Sequence, residues 1–119
     1  MAMISYEKIK NGALKFGKKV KEIWQRFWNS LFISVKKIMD QFMTRFKEKI
    51  DGISLAIKRV SGSFKRVNSV YTKSGNGYKR TDIMTNVNTN DVPEELQYLN
   101  EGEIRDITND FEDVLVLEY

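Results

Sequence analysis

The chain contains neither cysteine nor histidine, and its single proline is Pro93. Without cysteine there is no disulfide framework and no thiolate zinc site. Without histidine the usual general base is missing, and so are the Ser-His-Asp and Cys-His arrangements and the commonest transition-metal ligand. An enzyme of this composition would depend on paired carboxylates, a tuned lysine or a hard metal held by oxygen. Long hydrophobic runs are also lacking. Stretches such as Leu31-Phe32-Ile33 fall far short of the about 18–20 apolar residues that span a bilayer. Glu7, Lys8, Lys10 and Lys15 interrupt the N-terminus, so no secretory signal is expected there, and a cytoplasmic location is the default.

What the chain does have is charge, and the charge is split. Residues 1–80 carry 19 Lys/Arg against 5 Asp/Glu, a net of +14. Residues 81–119 carry Arg105 alone against 11 Asp/Glu, a net of −10. The overall +4 conceals this division. Each half would attract a partner of opposite sign, and each is the other's nearest candidate. At 119 residues with 41% hydrophobic content, one folded unit is expected. Residues 1–60 read as a basic amphipathic helical region, and residues 61–119 as a β-hairpin plus an acidic α/β tail that folds with it.

The helical reading rests on period. Phe16, Val20, Ile23, Phe27, Leu31, Val35, Ile38, Phe42, Phe46, Ile50, Ile53, Ile57 and Val60 recur about every 3.67 residues, close to the α-helical repeat. Between 24 and 43 the stripe widens with Trp24, Trp28, Phe32, Ile33, Met39 and Met43. One helix from 4 to 60 would be about 85 Å long at 1.5 Å per residue. Two or three helices are therefore expected, with breaks at Asn11-Gly12, Gly17, Asn29-Ser30 or Asp51-Gly52, residue types that cap helices or tolerate left-handed backbone.

After Ser61-Gly62-Ser63, the segment Phe64–Thr72 is rich in β-branched and aromatic residues, Lys73–Gly77 reads as a turn, and Tyr78–Val87 alternates. This predicts a hairpin. It carries Lys65, Arg66, Lys73, Lys79 and Arg80 around Tyr71 and Tyr78, a composition that suits stacking of single-stranded nucleic acid. Gly75-Asn76-Gly77 lacks the spacing of a phosphate loop. Asn86–Asp91 lacks the glycine and the bidentate glutamate of a calcium loop. In the tail, Asp91-Val92-Pro93-Glu94-Glu95 is a good helix start, residues 103–111 read as a second short helix or a loop, and Val114–Tyr119 reads as a strand able to pair with the hairpin. Many carboxylates there form pairs, but a tail of this size is a poor host for a catalytic cleft.

The expected fold class is α+β: N-terminal amphipathic helices packed on a small antiparallel sheet containing a β-hairpin, with a short acidic helix and a C-terminal strand. The expected role is non-enzymatic, that of a small adaptor or inhibitor contacting another protein. Its contact surface combines Lys18, Lys19, Lys21 and Arg26 with Trp24, Phe27, Trp28 and Phe32, since aromatic and Arg anchors concentrate interface energy. The acidic tail would shield that surface, so that ending the chain at Asn90 would strengthen binding to anions. Self-association is expected from the width of the stripe. No cofactor or metal is expected. The same helices could instead lie on an anionic membrane surface, or the basic half could bind nucleic acid.

Overall fold

In the computed structural model, which describes residues 2–47 and 49–117, the elements run in a mixed order. They are β1 (Ile4–Ser5), α1 (Tyr6–Asn11), β2 (Gly12–Leu14), α2 (Glu22–Gln41), β3 (Lys49–Val60), β4 (Ser63–Ser74), β5 (Gly77–Val87), β6 (Ile104–Asp106), α3 (Thr108–Val114) and β7 (Leu115–Leu117). The hairpin expected from residues 64–87 is present, as β4 and β5 paired from Phe64↔Val87 to Ser74↔Gly77. The class is α+β with an antiparallel sheet, in the order β1-β3-β4-β5 with β6 also on β3.

The helical expectation fails at residues 49–60, which form the long strand β3. The cause is a β-bulge. Ile50 pairs with Thr72 and Gly52 with Tyr71, leaving Asp51 as an extra residue. The insertion puts Ile50 and Ile53, three apart, on the same face. That spacing mimics a helix turn. Beyond it Ile53, Leu55 and Ile57 alternate strictly and are buried, as strand residues do. Asp51-Gly52 is thus a bulge rather than a helix cap. Glycine is required at 52 because a Cβ there would stand 2.7 Å from the Ile4 carbonyl. Ser61 and Gly62, both at positive φ, make the tight turn between β3 and β4 that matches strand twist.

Upstream, the stripe is carried by one long helix, α2, with only the short α1 before it, rather than by two or three packed amphipathic helices. Helix α2 passes through Asn29-Ser30 without a break and buries Phe27, Trp28, Leu31, Val35, Ile38 and Met39 along one side. It runs on into a wider π-type turn, Phe42–Phe46, and stops at Lys47 in the left-handed region. Asn11-Gly12 does end the short helix α1. The expected acidic helix is reduced to a 3₁₀ turn, Glu94–Leu96. The C-terminal strand β7 pairs with β2, not with the hairpin. Glu118 and Tyr119, read as part of that strand, lie outside the described residues.

The helices share one core with one face of the sheet. Phe111 of α3 sits 5.8 Å from Trp28 and 6.0 Å from Phe32, centroid to centroid. Val92, Leu96, Ile107, Phe111 and Leu115 of the acidic segment belong to the same buried cluster as Leu31, Ile53 and Phe64. The tail is therefore structural, not an appended arm. The molecule measures 41 × 37 × 23 Å, and its thin dimension accommodates one helical layer on one sheet. Among the described residues no helix is long and apolar enough to cross a membrane.

Candidate functional site

The residues singled out on α2 and before it separate by location. Phe27 and Trp28 are 3% and 4% exposed and lie in the core. Trp24 and Phe32 are half-buried against that core. Trp24 stacks on Trp28 at 5.3 Å, as neighbours one helical turn apart can. Lys18, Lys19 and Lys21 are exposed on the segment leading into α2, and Arg26 is exposed on its flank. The tertiary structure thus brings Lys19, Lys21, Trp24 and Trp28 to one cleft of about 500 Å³, while Arg26 and Phe27 line a different cavity.

The first cleft is where the two charge halves meet. Its other walls carry Glu95, Arg105, Asp110, Asp113 and Val114. Trp24 Nε1 donates to Glu95 Oε2 at 3.1 Å, and Lys21 Nζ lies 3.6 Å from Glu95 Oε1. The backbone N–H of Glu95, then Lys21 and Trp24, hold its carboxyl below the ordinary value. Lys8 Nζ pairs with Glu112 at 2.9 Å. Among the described residues no group of three or more His, Cys, Asp or Glu side chains is gathered as a metal ion would require.

The opposite side of the sheet is different in kind. Strand alternation sends Arg66, Asn68, Val70 and Thr72 of β4 toward α2, where Arg66 Nη1 donates to Ser30 Oγ at 3.0 Å and Asn68 Nδ2 donates to Ser34 Oγ at 3.4 Å. It sends Lys65, Val67, Ser69, Tyr71 and Lys73 the other way. Val67 is accordingly buried yet stands outside the core cluster. The strand register sets this outer face in five rows: Lys49–Lys73–Tyr78, Gly52–Tyr71–Arg80, Ser54–Ser69–Asp82, Ala56–Val67–Met84, and Lys58–Lys65–Asn86. Tyr78 and Met84 are 68% and 48% exposed.

Two of these rows place lysine directly opposite lysine, Lys49 against Lys73 and Lys58 against Lys65. Like charges in cross-strand register destabilise a sheet. The acid in the middle row, Asp82, is already engaged. Ser69 Oγ donates to it at 2.6 Å and Arg80 Nε at 2.8 Å, and these two bonds hold its carboxyl below the usual range. Arg80 also lies over the Tyr71 ring at 5.9 Å, and Tyr71 reaches Ser54 at 3.3 Å. Asp106, on β6 beside Ala56, is the next acid along this face.

The hairpin sequence named Lys65, Lys73, Arg80, Tyr71 and Tyr78 but grouped them with Arg66 and Lys79, which fall on the other face. Lys49 reads from sequence as part of the basic side of a helix and Lys58 is not singled out, because their strand has the spacing of a helix. The signal that could have found them is Leu55, which completes the alternation Ile53-Leu55-Ile57 and lies off the helical stripe.

No family model matches this chain, and no curated protein or solved structure matches it.

Proposed function

We propose that this protein works by binding rather than catalysis, and that it docks a single-stranded nucleic acid on the outer face of β3, β4 and β5. The observation that carries this reading is the pair of lysine-on-lysine rows at the two ends of that face. A fold gains nothing from such pairs, and an anionic strand laid across them removes the repulsion. Between the rows, Tyr71 and Tyr78 offer rings of the kind on which bases stack, and Arg80 adds a planar cation. Lys65 and Lys73 are eight residues apart on β4, about 27 Å at 3.4 Å per residue, a length that suits several nucleotides.

The test is fluorescence anisotropy of the full chain with a labelled single-stranded oligonucleotide of about 15 nucleotides, titrated over salt. Four or five phosphate contacts predict a log–log salt slope of about −3. Tyr78→Ala should weaken binding about tenfold, a loss within the range of one stacked base. No binding at low salt, or equal binding to polyglutamate, would refute the reading.

A protein partner is the second reading, favoured by the cleft between α2 and the acidic segment. Lys18, Lys19 and Lys21, with the accessible edge of Trp24, would form its contact surface, and Glu95 would shield it until displaced. Glu95→Gln tests the shield without disturbing the core. Equal retention of the variant and the parent on an acidic matrix would remove this reading. Membrane-surface binding by the same helix is less well supported, because the apolar side of α2 already faces the sheet. Flotation with anionic vesicles at physiological salt checks it.

A further inference from the structure

The helix-facing side of the hairpin holds a second feature, independent of the outer face. A cavity of about 280 Å³ lies between α2 and the ends of β4 and β5, its lining including Arg26, Ser30, Arg66, Asn88 and Asp91. Arg66 is its fixed element. Its Nη1 is held by Ser30 Oγ at 3.0 Å, and among the described residues no carboxylate pairs with it. Its Nε and the hydroxyl of its cross-strand neighbour Thr85 are buried without a hydrogen-bond partner. Burial lowers the Arg66 pKa, with no anion offsetting that effect. A guanidinium taken partly out of water without a counter-charge is costly. A second guanidinium, Arg26 of α2, lines the same cavity from the helix side.

We infer that this cavity is a binding site for a small hydroxylated phosphate ester, with Arg26 and Arg66 holding the phosphate and Asp91 accepting from ligand hydroxyls. Arginine presents a planar fork of donors that matches phosphate oxygens. Asn88 lies at the rim, its Oδ1 accepting from the Asn90 N–H at 3.0 Å, and Ser30 keeps Arg66 in position. Asp91 would repel a bare dianion. It suits a ligand whose organic part carries hydrogen-bond donors, and this is why an ester is favoured over inorganic phosphate. The volume is close to the lower limit for small-molecule sites and admits a sugar phosphate rather than a dinucleotide.

The test is calorimetric titration of the full chain with ribose 5-phosphate, inorganic phosphate and ribose at one ionic strength. The expected order of affinity is ribose 5-phosphate, then phosphate, then ribose. Arg66→Gln should weaken the ester at least tenfold. Arg26→Gln, at an exposed position on α2, should do the same and decides the question if the Arg66 variant is unstable. Asp91→Asn should narrow the difference between ester and inorganic phosphate. Unchanged ester affinity in Arg26→Gln, or equal weak responses to phosphate, sulfate and chloride, would overturn the assignment. A 5′-phosphorylated oligonucleotide that binds more tightly than its 5′-hydroxyl form, with the difference lost in Arg26→Gln, would identify a strand terminus as the source of the phosphate. Failure of the outer face to bind nucleic acid would leave these results unaffected.

Discussion

The Thr108 hydroxyl accepts from the backbone N–H of Leu55 at 2.9 Å and donates to the carbonyl of the same residue at 3.1 Å. Thr108 is fully buried. It occupies the gap on the edge of β3 between β1, which pairs at Ile53, and β6, which begins at Ala56. The Ile107 N–H also donates to the Leu55 carbonyl at 2.9 Å, so what the Thr108 side chain supplies is the acceptor that a neighbouring strand would offer to the Leu55 N–H. Thr108→Val would keep the shape and leave the Leu55 N–H without its acceptor, a loss of about 1–3 kcal/mol. Thr108→Ser should retain most of the stability. Urea denaturation of the two variants checks this, and equal loss in both would mean that the methyl packing matters more than the hydroxyl.

The lysine rows predict opposite effects on stability and binding. Lys65→Glu turns the repulsive Lys58–Lys65 pair into an attractive one, and should stabilise the fold by roughly 0.2–1 kcal/mol. The same change places an anion on the proposed nucleic-acid face and should weaken oligonucleotide binding several-fold. Thermal melts and anisotropy on one preparation measure both. A variant that is more stable and binds equally well would remove the outer face from the binding mechanism.

The acidic segment cannot be removed as a unit. Ending the chain at Asn90 would delete Val92, Leu96, Ile107, Phe111 and Leu115 from the core, so the expected result is an unfolded chain rather than an unmasked basic surface. Phe111→Ala alone should cost about 3–5 kcal/mol. It would also loosen the Trp28 and Phe32 rings it touches. Tryptophan fluorescence during urea unfolding would report both effects, and a loss below about 1 kcal/mol would place Phe111 outside the cooperative core.

Asp82 makes stability depend on acidity in a defined direction. Ser69, then Arg80, lower its pKa in the folded chain. A depressed carboxyl contributes above its unfolded value and loses that contribution as pH falls through the folded one. With an unfolded value of about 3.9, the effect is complete at neutral pH and fades below about pH 4. The carboxylate is nearly half exposed, so solvent screening keeps the contribution under about 1 kcal/mol. Asp82→Asn should flatten the decline in urea midpoint between about pH 4 and pH 2. An unchanged slope would assign acid sensitivity to other carboxylates.

Local chemistry alone determined several features of this protein. The hairpin was legible because Phe64–Val87 combines β-branched alternation with a glycine turn, signals that act within a few residues. Helix α2 was legible from its wide apolar stripe, and the division of charge was legible by counting. The α+β class followed from these. The partition of the hairpin's basic residues between two faces required the register, which brings Lys58 against Lys65 and turns Arg66 toward Ser30.

The strand nature of residues 49–60 was hidden by one inserted residue, Asp51, which gives a bulged strand the spacing of a helix. The fates of Phe27 and Trp28 were equally hidden. An aromatic stripe looks the same whether it meets a membrane, a partner or its own sheet, and here Phe111, more than eighty residues downstream of Trp28, closes over it. Periodicity records which residues share a side of an element. What that side faces is decided by contacts between distant segments, and those form only when β3, α2 and the acidic segment pack together.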